Sequence, residues 1–418
     1  MVRILQMCSG MGTSWKTAIA ICPAGPSAET VGRRLLGLEI GERLLLALSH
    51  AGFERVLCVG PGERPSCARA AIRVDELAPG SLAPRERAVL LPADLVFDRR
   101  LVEAKGALPA DLPLREVTAS SVGGLLALPG EHLDRLGVGS AGGAGKGFAV
   151  RVTDGSSARE AERSLLASLR KPTDGIVSRL LNRRISLAVT RHLVRTGLRP
   201  NHLTIMLMAL GPLAFTAAAF AGSWWGLVLA GLLYQTHSVL DGCDGEIARL
   251  TYRFSRTGQW LDSIGDALAN YLFCLGLAIG QAHAHGWTWL YVAGALLFAI
   301  QCHASGINIR RGARMGSGDL LSVPNALTGG PARGALGRFA RGFHAAARRD
   351  VYALMTAVLA AMQLPLVALG VFAVGSVVLA CAMTMNEWRL RALEREGLSL
   401  PDPAMPVSIG GRELGRAA

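Results

Sequence analysis

Residues 241–266 read DGCDGEIARLTYRFSRTGQWLDSIGD. Asp241 and Asp244 stand three apart, Asp262 and Asp266 four apart. On a helix, either spacing puts both carboxylates on one face. Gly245, Ala248 and Gly258 are small where a backbone or a ligand would come close. Arg249 sets a fixed positive charge beside the acids. Long apolar runs flank the stretch, so the acids stand at the edge of a membrane, where ionisable groups are costly and mark function. Two carboxylate pairs converging from two helices suit one or two Mg²⁺ or Mn²⁺ ions. Such ions bind and polarise a diphosphate.

Outward from these acids the chain loses its charge. Residues 201–240, 267–309 and 351–386 contain no Asp, Glu, Lys or Arg. Each block is about twice the ~20 residues that one membrane span needs. Each also breaks near its middle, at Ala221-Gly222-Ser223, His285-Gly286 and Gln363-Leu364-Pro365. The pattern predicts three helical hairpins, hence an all-α polytopic domain of six transmembrane helices over residues 200–390. Arg310, Arg311, Arg314, Arg333, Arg338, Arg341, Arg348 and Arg349 crowd one loop, which should be cytoplasmic. The tail, residues 391–418, carries Arg391, Arg395 and Arg412 and belongs on the same side. The expectation is a multi-pass protein of the cell (inner) membrane, with both termini cytoplasmic and the acids at the inner ends of spans two and three.

Residues 171–199 form the junction. Val177, Leu181, Ile185, Val189 and Leu193 recur every four residues, complemented by Arg179, Arg183, Arg184, Arg191 and Arg195. This predicts a juxtamembrane amphipathic helix lying on the lipid bilayer, stopped by Pro200. Residues 1–170 read as a soluble α/β domain of Rossmann type. Strand candidates at 17–23, 53–60, 88–92 and 148–152 alternate with helical stretches. The glycine-rich residues 140–147 are not a phosphate-binding P-loop, because no G-K-[ST] follows at the required spacing.

The totals agree. Half of the 418 residues are hydrophobic and the net charge is +13. With long apolar runs, that basicity reads as cytoplasmic loops rather than a nucleic-acid surface, and no recognition motif for nucleic acid occurs. Eight scattered cysteines without a C-x-x-C read as buried thiols. Residues 1–16 lack the pattern of a signal peptide.

The stretch fits D-x2-D-G-x2-A-R-x8-G-x3-D-x3-D at all eight fixed positions, and the chain thereby resembles the CDP-alcohol phosphotransferase (phosphatidyltransferase) family over about residues 171–390. The resemblance implies transfer of a substituted phosphate from a CDP-alcohol to an acceptor hydroxyl, with release of CMP. It makes Asp241, Asp244, Asp262 and Asp266 metal ligands and Asp266 also the catalytic base. It puts Asn201, Thr204, Gly245, Ala248, Arg249, Ser255 and Gly258 around the CDP. Lys171–Ser186 resembles the junction of archaeal bifunctional proteins that make di-inositol phosphate. An inositol-phosphate acceptor would need basic side chains, for which Arg310, Arg349 and Arg389 stand at span ends. CDP-diacylglycerol and a soluble CDP-polyol both remain open as donor, and a homodimer is compatible with the pattern.

Residues 1–170 resemble the sugar-phosphate nucleotidyltransferases. Asp94 matches a metal acid, Asp154 falls near the second, and Arg33 and Arg34 stand where that family has a lysine. The first loop, AGPSAETVGRR, lacks the family's glycine pattern. The domain is therefore expected to be degenerate. Two alternatives stand beside this reading: a bifunctional enzyme that also makes its CDP-alcohol from CTP, and a non-enzymatic membrane scaffold.

Overall fold

The computed structural model describes residues 16–23, 30–83, 86–98, 101, 114–128, 147–170, 175, 177–220, 224–315 and 349–397. The glycine-rich residues 140–146, the break at 221–223, the basic loop at 316–348 and the tail from 398 lie outside these. The chain divides into two compact units. One comprises Met1–Lys171, Arg191–Gly197 and Ala248–Tyr252, the other Pro172–Thr190, Leu198–Ile247 and Arg253–Ala418.

The first unit is built on a five-stranded sheet. Strand β1 (Thr17–Ile21) lies between β4 (Arg55–Val59) and β6 (Arg87–Pro92) and is parallel to both. Strand β5 (Arg73–Glu76) extends the sheet parallel to β4, and β8 (Arg115–Thr118) closes the other edge antiparallel to β6. β1 reads TAIAI and is buried throughout, as a central strand covered on both faces must be. Its alternation divides the core. Ala18 and Ala20 join Val56, Val89 and Leu91 under helix α1 (Ile40–His50), which adds Leu44, Leu45 and Leu48. Ile19 and Ile21 join Leu57 and Leu90 on the opposite face, where helix α2 (Ala119–Leu126) adds Val122 and Leu125.

Two short pairs stand apart from this sheet. β2 (Arg34–Leu35) pairs with β3 (Leu38–Glu39), and β7 (Leu95–Phe97) pairs antiparallel with β9 (Ala149–Arg151). The strand expected at 148–152 is thus present, but in a ribbon rather than in the main sheet. The edge strand β5, RVDE, escaped the sequence reading because it is polar and largely exposed. Helix α3 (Gly155–Ser168) follows β9.

The second unit is helical. The junction begins with a π-helical turn (Ser178–Asn182) that runs into α4 (Arg183–Leu193). Its polar side is the buried one, through Asn182, Ser186 and Thr190, while Leu180, Leu181 and Ile185 are exposed. Of the apolar line Val177, Leu181, Ile185, Val189 and Leu193, Leu181 and Ile185 are exposed and the other three partly buried, while Leu187 is buried with the polar residues.

Then follow α5 (Pro200–Met208), α6 (Leu210–Ala219), α7 (Trp224–Thr251), α8 (Arg256–His285), α9 (Trp289–Met315), α10 (Arg349–Ala361) and α11 (Pro365–Arg395). Among the described residues, four helical stretches are long and apolar enough to cross a membrane: Pro200–Ala219, Arg256–His285, Trp289–Met315 and Pro365–Arg395. The sequence pattern suggested six. The other two candidates are α7, whose last turns carry the acids and Arg249, and α10, which is 13 residues long.

Tyr234, Phe273 and Phe372 form the aromatic centre of the bundle, the first two stacked with centroids 4.4 Å apart. Helices α6 and α8 meet backbone to backbone: a Cβ on Gly276 would come 2.7 Å from the Phe215 carbonyl oxygen. Small residues allow such contact where lipid gives helices no hydrophobic reason to associate. Outward-facing Leu229, Val292, Leu296 and Val374 are exposed, the surface that an apolar solvent requires. Tryptophans mark the uncharged helix ends. Trp224 and Trp225 begin α7, Trp287 lies between α8 and α9, and Trp289 begins α9, with the Trp287 and His285 rings stacked at 4.6 Å.

Candidate active site

α7 runs through Asp241 and Asp244 without interruption. α8 starts at Arg256 because Ser255 caps it, its Oγ accepting the Gly258 amide at 2.8 Å. That start puts Asp262 and Asp266 about two and three turns into the helix. Oxygens of Asp241, Asp262 and Asp266 then lie within 4.8 Å of one another, each residue half-buried. Three carboxylates converging at this distance are a donor set for a hard divalent cation that takes oxygen ligands. Thr204, Leu207, Met208, His237, Leu261 and Gly265 complete the cavity around them.

Asp244 lines the same cavity but is not in the three-acid group. It is buried, and its Oδ2 accepts the hydroxyl of Thr204. Thr204, expected from the resemblance beside the nucleotide, is therefore directly bonded to one of the acids. Its hydroxyl also lies 3.2 Å from the Pro200 carbonyl oxygen.

Three other residues expected around CDP converge. Ser255 Oγ donates to Asn201 Oδ1 at 3.1 Å. A Cβ on Gly258 would fall 2.6 Å from that same oxygen and 2.7 Å from Ser255 Oγ. Position 258 must be glycine for the three to share this space. Gly245, Ala248 and Arg249 continue along α7 from Asp244.

The basic side chains nominated for the acceptor are less drawn together. Arg310 and Arg389 are exposed, and Arg310 Nε donates to the Gly306 carbonyl of its own helix at 3.0 Å. Arg349 begins α10, and its side chain lies outside the description. The structure brings forward Arg311 instead. It is buried and donates to Glu387 at 2.8 Å and to Glu394, tying α9 to α11. The signal was present as Glu387 and Glu394 seven apart, two helical turns on one face. Glu246, fully buried on α7, was missed as well.

In the α/β unit the two nominated acids are already engaged. Asp94 is fully buried, and both its oxygens accept from Arg151 Nε, at 2.9 and 3.0 Å. Asp154 is the N-cap of α3, in a reciprocal capping box with Ser157. The Ser157 hydroxyl and amide, with those of Ser156, hold its carboxyl down to about 2. Arg33 and Arg34 are exposed, Arg34 within 3.7 Å of Glu39.

Residues 198–388 match the family model described as CDP-alcohol phosphatidyltransferase. Relatives named bifunctional IPC transferase and DIPP synthase come from Archaeoglobus fulgidus and Thermococcus kodakarensis. The first is 41% identical over 122 residues, covering 29% of this chain and 24% of the relative. The second is 39% identical over 136 residues, covering 32% of this chain and 30% of the relative. An archaetidylinositol phosphate synthase from Pyrococcus horikoshii is 30% identical over 117 residues, 28% of this chain and 60% of the relative. The chain thus spans less than two thirds of the length of each of these curated relatives.

Proposed function

We propose, on the premise that residues 198–388 form a CDP-alcohol phosphatidyltransferase domain, that this protein is a membrane enzyme. It transfers a substituted phosphate from a CDP-alcohol to the hydroxyl of an acceptor alcohol and releases CMP. The observation that carries the reading is the approach of Asp241, Asp262 and Asp266 oxygens within 4.8 Å. A divalent ion bound there, Mg²⁺ or Mn²⁺, would neutralise charge on the diphosphate and on the departing CMP.

The remaining work falls to the chain. Asp241, Asp244 and Asp262 hold the metal, with Thr204 fixing Asp244. Asn201, Ser255 and Gly258, with Gly245, Ala248 and Arg249, receive the CDP. Asp266 takes the proton of the attacking hydroxyl. An inositol phosphate is the acceptor that Arg310, Arg349 and Arg389 would suit, since each offers a charge-assisted donor to phosphate. The test is direct. Purified protein with Mg²⁺ or Mn²⁺ is given CDP-diacylglycerol or soluble CDP-polyols, with inositol phosphate and other alcohols as acceptors. Products are read by mass spectrometry. Absence of CMP from every pair would overturn the reading.

The α/β unit does not make the donor. A cytidylyl transfer needs two acids free to hold Mg²⁺, an ion that demands several well-placed oxygens. Asp94 is taken by Arg151 and Asp154 by its own helix. The full-length protein is therefore expected to release no pyrophosphate from CTP with inositol phosphate or glycerol phosphate. Pyrophosphate release that Asp94→Ala abolishes would make the protein bifunctional instead.

A further inference from the structure

Glu246 sits two residues beyond Asp244, yet it serves the other side of the helix. At 3.6 residues per turn it lies about 140° from Asp241 and about 160° from Asp244 around the α7 axis. Its side chain is fully buried. One carboxylate oxygen accepts from Arg183 and from Ser186 Oγ at 2.8 Å, and the other accepts from Thr190 Oγ1 at 2.6 Å. All three donors stand on α4.

A second observation shows that this space is reserved. Gly242 lies one turn before Glu246 on the same back face. A Cβ there would fall 3.1 Å from Arg183 Nη1 and 3.6 Å from Glu246 Oε1. Toward the N-terminal end of α7 the seam continues. Gln235 Nε2 donates to Asn182 Oδ1 at 3.2 Å, and Cys243 Sγ lies 3.6 Å from the Ser186 carbonyl oxygen. Polar contacts therefore fasten the rear of α7 to the junction from Gln235 to Glu246, across the same turns whose front carries Asp241 and Asp244.

We infer that the Glu246–Arg183 pair is a positioning lock for the metal acids: it fixes the rotation of α7 about its own axis, and so the place of Asp241 relative to Asp262 and Asp266. The consequence is physical. A buried carboxylate and guanidinium pair only in one geometry, because either charge left alone in that space is heavily penalised. Helix rotation is thereby restricted. A loosened α7 would still carry Asp241 and Asp244, but not at a fixed distance from the acids of α8. Metal affinity would fall before the chemistry did.

This inference rests on the metal-site reading above, and the experiment separates the two. Purified full-length protein in detergent is titrated with Mn²⁺ alone, and free Mn²⁺ is read by electron paramagnetic resonance. Glu246→Gln and Arg183→Gln are each expected to weaken Mn²⁺ binding about tenfold, in protein whose melting curve stays cooperative. The double variant removes both charges together and should weaken binding no more than either single change; independent effects would multiply instead. At saturating Mn²⁺ the single variants should regain most of their CMP release. Mn²⁺ affinity within twofold of wild type in both single variants would overturn the lock. If Glu246→Gln does not fold, Gly242→Ala takes its place, with the expected weakening several-fold and an unchanged affinity again decisive against the lock. Asp241→Asn is the control. Mn²⁺ binding insensitive to it would overturn the metal site itself, whereas a normal Asp241→Asn effect beside an unchanged Glu246→Gln would overturn only the lock.

Discussion

Asp262→Ala is expected to take CMP release to background, a loss of about 10³-fold or more, while leaving the protein folded. Without metal, the three carboxylates repel one another. At 4.8 Å and an effective dielectric near 20, each ionised pair costs on the order of 3 kcal/mol. Removing one acid therefore relieves strain, and the melting temperature measured in chelator should hold or rise. Asp241→Ala should behave alike. Asp244→Ala should differ in one respect. Its carboxylate is buried and accepts the Thr204 hydroxyl, so the variant gives up that charge-assisted hydrogen bond and loses some stability as well as turnover. Near-wild-type CMP release in Asp262→Ala would remove this acid group from the chemistry. A fall in metal-free melting temperature there would count against mutual repulsion.

The second large effect is expected at Asp266. Asp266→Asn preserves shape but cannot take a proton. As the base, its loss should lower turnover by roughly 10² to 10⁴ while CDP-alcohol binding, followed by the displacement of a labelled nucleotide, persists. Full turnover would assign the proton to another group or to water. The four acids form an interacting set, so a pH–rate profile reports the set rather than Asp266 alone.

The acid group was legible because its spacing converts directly into helix geometry. Three and four residues are the two intervals that return a side chain to the same face, and the flanking charge-free blocks imposed helices. The Glu246–Arg183 lock was not legible. Its partners are 63 residues apart, and a lone glutamate in a run of acids looks like one more polar residue. The pairing of Asp94 with Arg151 hid for the same reason: the ribbon of β7 and β9 that joins them has three residues in each strand, too few for a periodic signal. Asp154 stands out in the sequence as an acid, while its capping box with Ser157, three residues on, emerges only in the structure. Among the spans, α7 and α10 are the two for which composition and length say least, α7 because its last turns carry the acids and α10 because its described part is short.

The tryptophans at the uncharged ends give the helices the character of a ruler. From Trp224 to Asp241 along α7 is 17 residues, about 26 Å at 1.5 Å per residue. From His285, stacked on Trp287, back to Asp266 along α8 is 19 residues, about 29 Å. Both lengths are close to the ~30 Å of hydrocarbon in a bilayer. Indole rings settle at the headgroup level, so a bundle pinned in a bilayer by these tryptophans would carry its acids to the opposite headgroup layer. That depth would be wet enough for a nucleotide to arrive from solution and shallow enough for an acyl chain to stay in the oil. Lengthening either helix by one turn would lift the acids of one helix away from those of the other by about 5 Å, so in such a bilayer one count of residues would serve both the span and the grouping of the acids.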